Sequence, residues 1–115
     1  MISNWDPQHV RMATALGGGV GGTHDELCGA LSGGILVIGG LHGRVTSQED
    51  DDLAYELAKS YRRRFLDRFG DTQCAPLRDG VKAPGGLDSC AQLVEQAAKI
   101  LLAVLDEADT ETKAR

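Results

Sequence analysis

Residues 25–40, DELCGALSGGILVIGG, form the segment that decides the fold of this 115-residue chain. After Glu26 the segment carries no charge, and its residues are apolar or small throughout. This pattern predicts a buried, central helix over residues 25–41. Gly29 and Gly33 stand four residues apart, a spacing that lets a neighbouring helix approach closely. The segment is short for a membrane span, which needs about 20 residues, so the sequence predicts no membrane helix.

A capping box marks the start of the next helix. Thr46 and Glu49 have the spacing at which each side chain bonds a free backbone N–H at a helix start. Apolar residues then recur at intervals of four, and the positions between them are largely charged. The pattern predicts an amphipathic helix of about six turns that ends at Gly70. Its apolar residues are Leu53, Leu57, Tyr61, Phe65 and Phe69.

A shorter helix is predicted near the start of the chain. Asp6 is placed as its N-cap, and Pro7 occupies the first helical position, where its missing N–H has no cost. The glycine-rich stretch that begins at Gly17 ends this helix. Further along the chain, residues 71–86 contain two prolines and several glycine turn signals. This stretch, which carries Cys74, is predicted to be an ordered loop.

The last helix completes the predicted fold. It begins with Asp88 or Ser89 as its cap and frays after Glu107. The chain is therefore divided into a single helical domain, residues 1–107, and a polar, frayed tail, residues 108–115. Because no alternating strand pattern is present, the sequence predicts an all-α fold, a small bundle of about four helices around the glycine-rich buried helix.

Charge and composition exclude some classes of function. The formal net charge is −5, and Arg62, Arg63 and Arg64 are the one run of basic residues, so the chain is not expected to bind nucleic acid. The first twenty residues lack a basic stretch followed by an apolar one, and the sequence therefore predicts no signal peptide and a cytoplasmic location.

The chain has three cysteines, an odd number that does not suit a closed disulfide scaffold. Reduced thiols or thiolates on a metal suit this number better. Cys28 and Cys90 lie at predicted helix starts, and Cys74 lies in the predicted loop, so the three can converge at one end of the bundle. No C-x-x-C pair is present, and a metal site would have to be assembled by the fold.

The surroundings of Cys28 favour a thiolate. A helix start lowers the pKa of a thiol and favours the form that attacks disulfides or binds metals. His24, four residues earlier, is a candidate ligand or base. The alternatives are that Cys28 is a small buried apolar side chain and that His24 is a cap or surface residue. Four glycines of the preceding loop are expected to direct backbone N–H donors at the thiolate: Gly18, Gly19, Gly21 and Gly22.

Four segments together resemble a family of redox-active proteins named for its cysteine pattern, C_GCAxxG_C_C. They are GGGVGG (17–22), CGALSGGILVIGG (28–40), FGDTQC (69–74) and SCAQLVEQAAKIL (89–101). The resemblance extends from about Met12 to Leu105. It matches Cys28 to the C-G-A-x-x-G element and the other two cysteines to the later cysteines of the pattern.

The resemblance implies electron transfer or thiol redox chemistry by Cys28, Cys74 and Cys90. In the first case a [2Fe–2S] cluster or another thiolate-bound metal has these cysteines as ligands, and in the second there is no cofactor. The family pattern contains one more cysteine, upstream of the glycine run, and this chain has no cysteine before Cys28. A [2Fe–2S] cluster would then need His24, another residue or a partner chain to complete its ligand set. Thiol–disulfide exchange needs two cysteines only.

The sequence features are compatible with two classes of function. The first is a redox-active protein with a redox partner protein. The second is a non-catalytic interaction or scaffold subunit that packs through its glycine-faced helix against another protein or a second copy, as a homodimer or other homo-oligomer. An enzyme that acts on an unrelated small molecule has no candidate acid, base or nucleophile besides Cys28.

Overall fold

The structure is a computed structural model that describes residues 6–87 and 89–114. Within these ranges it contains no strand, only an isolated bridge between Leu27 and Gln73. The all-helical class predicted from the sequence is therefore confirmed. The helices are α1 (Pro7–Ala13), α2 (Gly29–His42), α3 (Asp52–Phe69), α4 (Cys74–Lys82) and α5 (Cys90–Ala114), and a 3-10 turn, Thr14–Leu16, follows α1.

Helices α2, α3 and α5 pack against one another, and α4 packs against α5. Their apolar faces form one core, so hydrophobic burial holds the bundle together. None of the described helices is both long enough and apolar enough to cross a membrane. The core residues are Leu31, Ile38, Leu57, Tyr61, Phe65, Leu77, Val81, Leu93, Ala97, Val104, Leu105 and Ala108.

Helices α2 and α3 approach each other closely at Gly34. A β-carbon at this position would overlap the ring of Tyr61, so the α3 side chain occupies the space that glycine leaves. The Tyr61 hydroxyl donates a hydrogen bond of 2.9 Å to the carbonyl of Ala30 in the first turn of α2. Gly29 and Gly33, which were predicted to allow close contact with a neighbouring helix, do not make this contact. A β-carbon at Gly33 would meet nothing within 4 Å, and Gly29 faces a loop.

Helix α3 starts later than the capping box predicts. Thr46 and Glu49 do use their side chains to accept backbone hydrogen bonds, the former from the amide two residues ahead and the latter from Val45. These bonds close a turn, however, and the helix begins only at Asp52. At the other end the prediction is confirmed, because Gly70 caps α3 in the left-handed conformation, with φ of 83°.

The stretch predicted to be an ordered loop contains helix α4. Cys74, Leu77 and Val81 are buried on one face at intervals of three and four. Pro76 is accommodated because it lies in the first turn, where N–H groups have no partner within the helix. The loop prediction is therefore wrong for residues 74–82.

The prediction of Asp6 as the N-cap of α1 is confirmed, since its carboxylate accepts hydrogen bonds from the first-turn amides. At the start of α5, the Ser89 hydroxyl accepts from the amide of Gln92 at 3.3 Å. Asp88, the other predicted cap, lies outside the described residues. Helix α5 extends past Glu107 to Ala114, and Ala108 is buried in the core.

Candidate functional site

The glycine-rich loop before Cys28 is a left-handed turn. Residues 18–22 all have positive φ, between 59° and 71°. Glycine adopts this conformation without steric cost, and four of the five residues are glycine. The exception is Val20, whose side chain is exposed. The composition of this loop is therefore explained by its backbone shape.

Gly19 lies between two candidate site residues. A β-carbon at this position would be 2.7 Å from the Cβ atom of Cys74 and 2.7 Å from the Cα atom of His24. His24 itself has a φ of 64°, a backbone conformation that residues other than glycine seldom adopt. The missing side chain of Gly19 thus allows His24 and Cys74 to come together.

A short antiparallel pairing brings the segments of Cys28 and Cys74 side by side. The Cys28 N–H donates to the carbonyl of Thr72, and the Cys74 N–H donates to that of Glu26, each at 2.9 Å. The Asp71 carboxylate accepts bonds from the next two amides and shapes the turn that enters α4. Because Leu27 pairs with Gln73 in this way, α2 starts at Gly29 and not at residue 25 as predicted.

All three cysteines and His24 line a single cavity of about 390 Å³. Each cysteine stands at a helix start: Cys28 is the N-cap of α2, Cys74 is the first residue of α4, and Cys90 is the first residue of α5. The positive ends of three helices therefore adjoin the cavity, and such ends favour nearby negative charge.

The three thiols are free and differ in exposure. Cys74 is buried, with 9% of its surface exposed, Cys28 is half-buried, and Cys90 is exposed. The Nδ1 atom of His24 lies 3.4 Å from the Cys74 Sγ atom, within reach of a hydrogen bond to sulfur. The cavity thus contains one thiol paired with an imidazole and one thiol open to solvent.

Comparison with known proteins places this cavity in a family context. The family model described as "Putative redox-active protein (C_GCAxxG_C_C)" matches residues 2–104, which include the glycine loop and all three cysteines. The chain belongs to this family. No curated protein and no solved structure matches the chain.

In this C_GCAxxG_C_C protein, burial raises the pKa of the Cys28 thiol above its ordinary value. The nearby backbone N–H groups of Ala30 and Leu31 act in the opposite direction, and negative charge on Cys74 or Cys90 would raise the pKa further. The thiols are therefore electrostatically coupled, and ionisation of one disfavours ionisation of Cys28.

The loop glycines predicted to donate to a thiolate have different surroundings. The amide of Gly21 donates to Ala15 at 2.8 Å, and the amide of Gly22 donates to Gly17 at 3.1 Å, so both are used within the loop. Gly18 lines the cavity. Gly19 contributes the close packing against Cys74 and His24 described above.

The donor types in the cavity, three thiols and one imidazole, are those that bind zinc and iron–sulfur clusters. Thiolates on one zinc ion lie about 3.8 Å apart, given tetrahedral geometry and Zn–S bonds of about 2.3 Å. Among the described residues, only Asp50, Asp51 and Asp52 bring three ligand atoms within 4.8 Å of one another. The thiols and the imidazole of the cavity are not grouped so closely, and a [2Fe–2S] cluster would need a fourth ligand besides the three cysteines. The cofactor remains a prediction from the resemblance.

Sequence reasoning missed one charged residue in the cavity, Arg78. It lies on α4, four residues after Cys74 and therefore on the same side of the helix. The signal for this placement was the apolar spacing of Cys74, Leu77 and Val81, which predicts a helix once the prolines are set aside. The role of Gly19 depends on contacts distant in sequence and had no such signal.

Proposed function

We propose that this protein is a thiol–disulfide redox protein in which Cys74 is the attacking thiol. The observation that supports this function best is that three free thiols and an imidazole line one cavity. Two of those thiols are enough to take up and release a pair of electrons as a disulfide. The family match to redox-active proteins points in the same direction.

Cys74 has the surroundings of a nucleophilic cysteine. It is the first residue of α4, and the His24 ring nitrogen is 3.4 Å from its sulfur. An imidazole at this distance is placed to act as general base when the sulfur attacks a disulfide. Cys28 lacks an imidazole partner among the described residues, so the contact with His24 favours Cys74 as the attacking thiol.

The proposed reaction takes place in two exchange steps. In the first, the proton of Cys74 moves to His24, and the Cys74 sulfur attacks a substrate disulfide, forms a mixed disulfide and releases one substrate thiol that takes the proton. In the second, the sulfur of another cysteine of the cavity attacks the Cys74 sulfur, the bond between Cys74 and the substrate breaks, and an intramolecular disulfide forms. The departing substrate sulfur takes the proton of the attacking thiol and leaves as the second substrate thiol. The substrate disulfide is reduced by two electrons, and the protein is oxidised by two electrons.

The test is to oxidise the anaerobically purified, reduced protein with bis(2-hydroxyethyl) disulfide and to map its disulfides by mass spectrometry. We expect the protein to lose two hydrogens and to form one disulfide, which contains Cys74. Cys74→Ser should prevent its formation, whereas single serine variants of Cys28 and Cys90 should still form the mixed disulfide at Cys74.

Two results would contradict this function. One is that Cys74 remains a thiol while Cys90 alone reacts, as expected of an exposed cysteine with no role. The other is stoichiometric iron or zinc in the purified protein, with a visible absorption band in the case of iron. The second result would instead support the metal site that the resemblance implies.

A further inference from the structure

We propose that Arg78 makes this cavity selective for small disulfides that carry negative charge, such as those bearing carboxylates. This inference rests on the proposed thiol–disulfide function. It concerns the class of substrate, which neither the family match nor the cysteines indicate.

Arg78 differs from the other residues of the cavity in its charge. Among the described residues that line the cavity, it is the only one with a side chain that is fully ionised at neutral pH. Apart from the cysteines and His24, the remainder of the lining is glycine, alanine, leucine and valine. Arg78 is half-buried, and a charge on a partly buried residue is screened less by water than one on the open surface.

The position of Arg78 relates it directly to the attacking sulfur. Residues four apart on a helix are neighbours, with β-carbons about 5–6 Å apart, so Arg78 lies one turn along α4 from Cys74. A guanidinium binds carboxylates through two parallel hydrogen bonds. A carboxylate bound to Arg78 would therefore bring a disulfide a few bonds away to the Cys74 sulfur.

The size of the cavity limits the substrate to a small molecule. Its volume of about 390 Å³ lies in the range of small-ligand sites. Because Cys74 is only 9% exposed, a disulfide on the surface of a folded protein reaches its sulfur less easily than a free small molecule does. The net charge of −5 repels anions at long range, so selection for them requires a local cation.

The experiment uses three small disulfides that differ in charge: 3,3′-dithiodipropionate (anionic), bis(2-hydroxyethyl) disulfide (neutral) and cystamine (cationic). The rate at which each disulfide consumes the free Cys74 thiol is measured for the full chain and for Arg78→Gln, Arg78→Lys and Arg62→Gln. Arg62 is exposed on α3 and does not line the cavity, so its variant controls for the change in net charge. Thermal unfolding checks that each variant is folded.

We expect the wild-type protein to react at least about fivefold faster with the anionic than with the cationic disulfide, a difference that salt should reduce. Arg78→Gln should bring the two rates within about twofold of each other, whereas Arg78→Lys and Arg62→Gln should keep most of the preference.

The outcomes separate this inference from the function on which it rests. If the neutral disulfide oxidises Cys74 but no charge preference exists, or if Arg78→Gln slows all three reactions equally, the selectivity is refuted while the thiol–disulfide function stands. In the latter case Arg78 acts on the thiolate and not on the substrate. If none of the three disulfides modifies Cys74, the proposed function itself fails.

Discussion

The Nδ1 atom of His24 lies 3.4 Å from the Sγ atom of Cys74, although the two residues are 50 positions apart in the chain. Their contact depends on the left-handed backbone of His24 and on the absence of a side chain at Gly19, which packs against both. A non-glycine residue in this backbone conformation is uncommon and is often associated with function. The loop conformation therefore holds the His24 imidazole beside the Cys74 thiol.

Replacement of His24 by asparagine should slow the reaction of Cys74 with bis(2-hydroxyethyl) disulfide at pH 7 by about tenfold or more, because the proton acceptor is removed. Asparagine is chosen since it tolerates positive φ and should leave the loop intact. The rate is measured as the loss of the free Cys74 thiol over time, because the proposed second step consumes the mixed disulfide.

His42→Asn is the matched control for this prediction. His42 is the last residue of α2, about 20 Å along the helix from Cys28 at its start. This variant should react at the wild-type rate. An equal rate in His24→Asn, with thermal unfolding unchanged, would show that the imidazole has no part in the reaction.

Gly19→Ala should destabilise the protein by about 2–4 kcal/mol, since it adds backbone strain at φ of 70° to a clash with the Cys74 β-carbon. Gly21→Ala separates the two effects, because Gly21 has a φ of 64° but a β-carbon there would meet nothing within 4 Å. Its expected loss is about 1–2 kcal/mol. Urea unfolding measures both, and equal losses would mean that packing at Gly19 contributes nothing.

The features of the fold that depend on neighbouring residues could be predicted from the sequence. The Asp6 cap and the Gly70 stop are examples, because each acts through backbone groups within a few positions. The capping box at Thr46 misled for a related reason. Its side chains bond nearby amides in a turn as readily as in a helix, and the local pattern does not distinguish the two.

Features that depend on distant residues could be predicted only in outline. Convergence of the cysteines was inferred from the order of the helices, but the pairing that joins residues 26–28 to residues 72–74 has no local signal. For the same reason the sequence predicts a start of α2 at residue 25, whereas this pairing keeps residues 26–28 out of the helix. The position of Arg78 followed only from recognising α4 as a helix.

Gly34→Ala should destabilise the protein by about 1–3 kcal/mol, because the new methyl group meets the Tyr61 ring in the core. Gly39→Ala on the same helix is the control. A β-carbon at Gly39 would meet nothing within 4 Å, so alanine should stabilise the protein by about 0.5–1 kcal/mol through helix propensity. Chemical denaturation compares the variants, and changes of the same sign would contradict the close approach of α3 at Gly34.

The stability of the protein should fall above pH 10 because of Tyr61. Burial raises the pKa of Tyr61 to about 12, from an ordinary value of 10.0, and negative charge on Cys28 acts in the same direction. The unfolded state therefore loses this proton first as the pH rises. The stabilising contribution is complete below pH 10 and is lost as the pH passes through about 12. A shift of this size corresponds to roughly 2–3 kcal/mol.

Urea unfolding at pH 9 and pH 11.5 tests this prediction on wild-type protein, Tyr61→Phe and Tyr55→Phe. Tyr61→Phe should lower the unfolding free energy at pH 9 by about 1 kcal/mol, because the hydrogen bond to Ala30 is lost. It should then lose less stability than the wild-type protein on going to pH 11.5, since the buried phenol is absent. Tyr55, on the same helix and 62% exposed, is the control, and its variant should match the wild-type pH dependence. Equal alkaline losses in all three proteins would show that Tyr61 is not the group responsible.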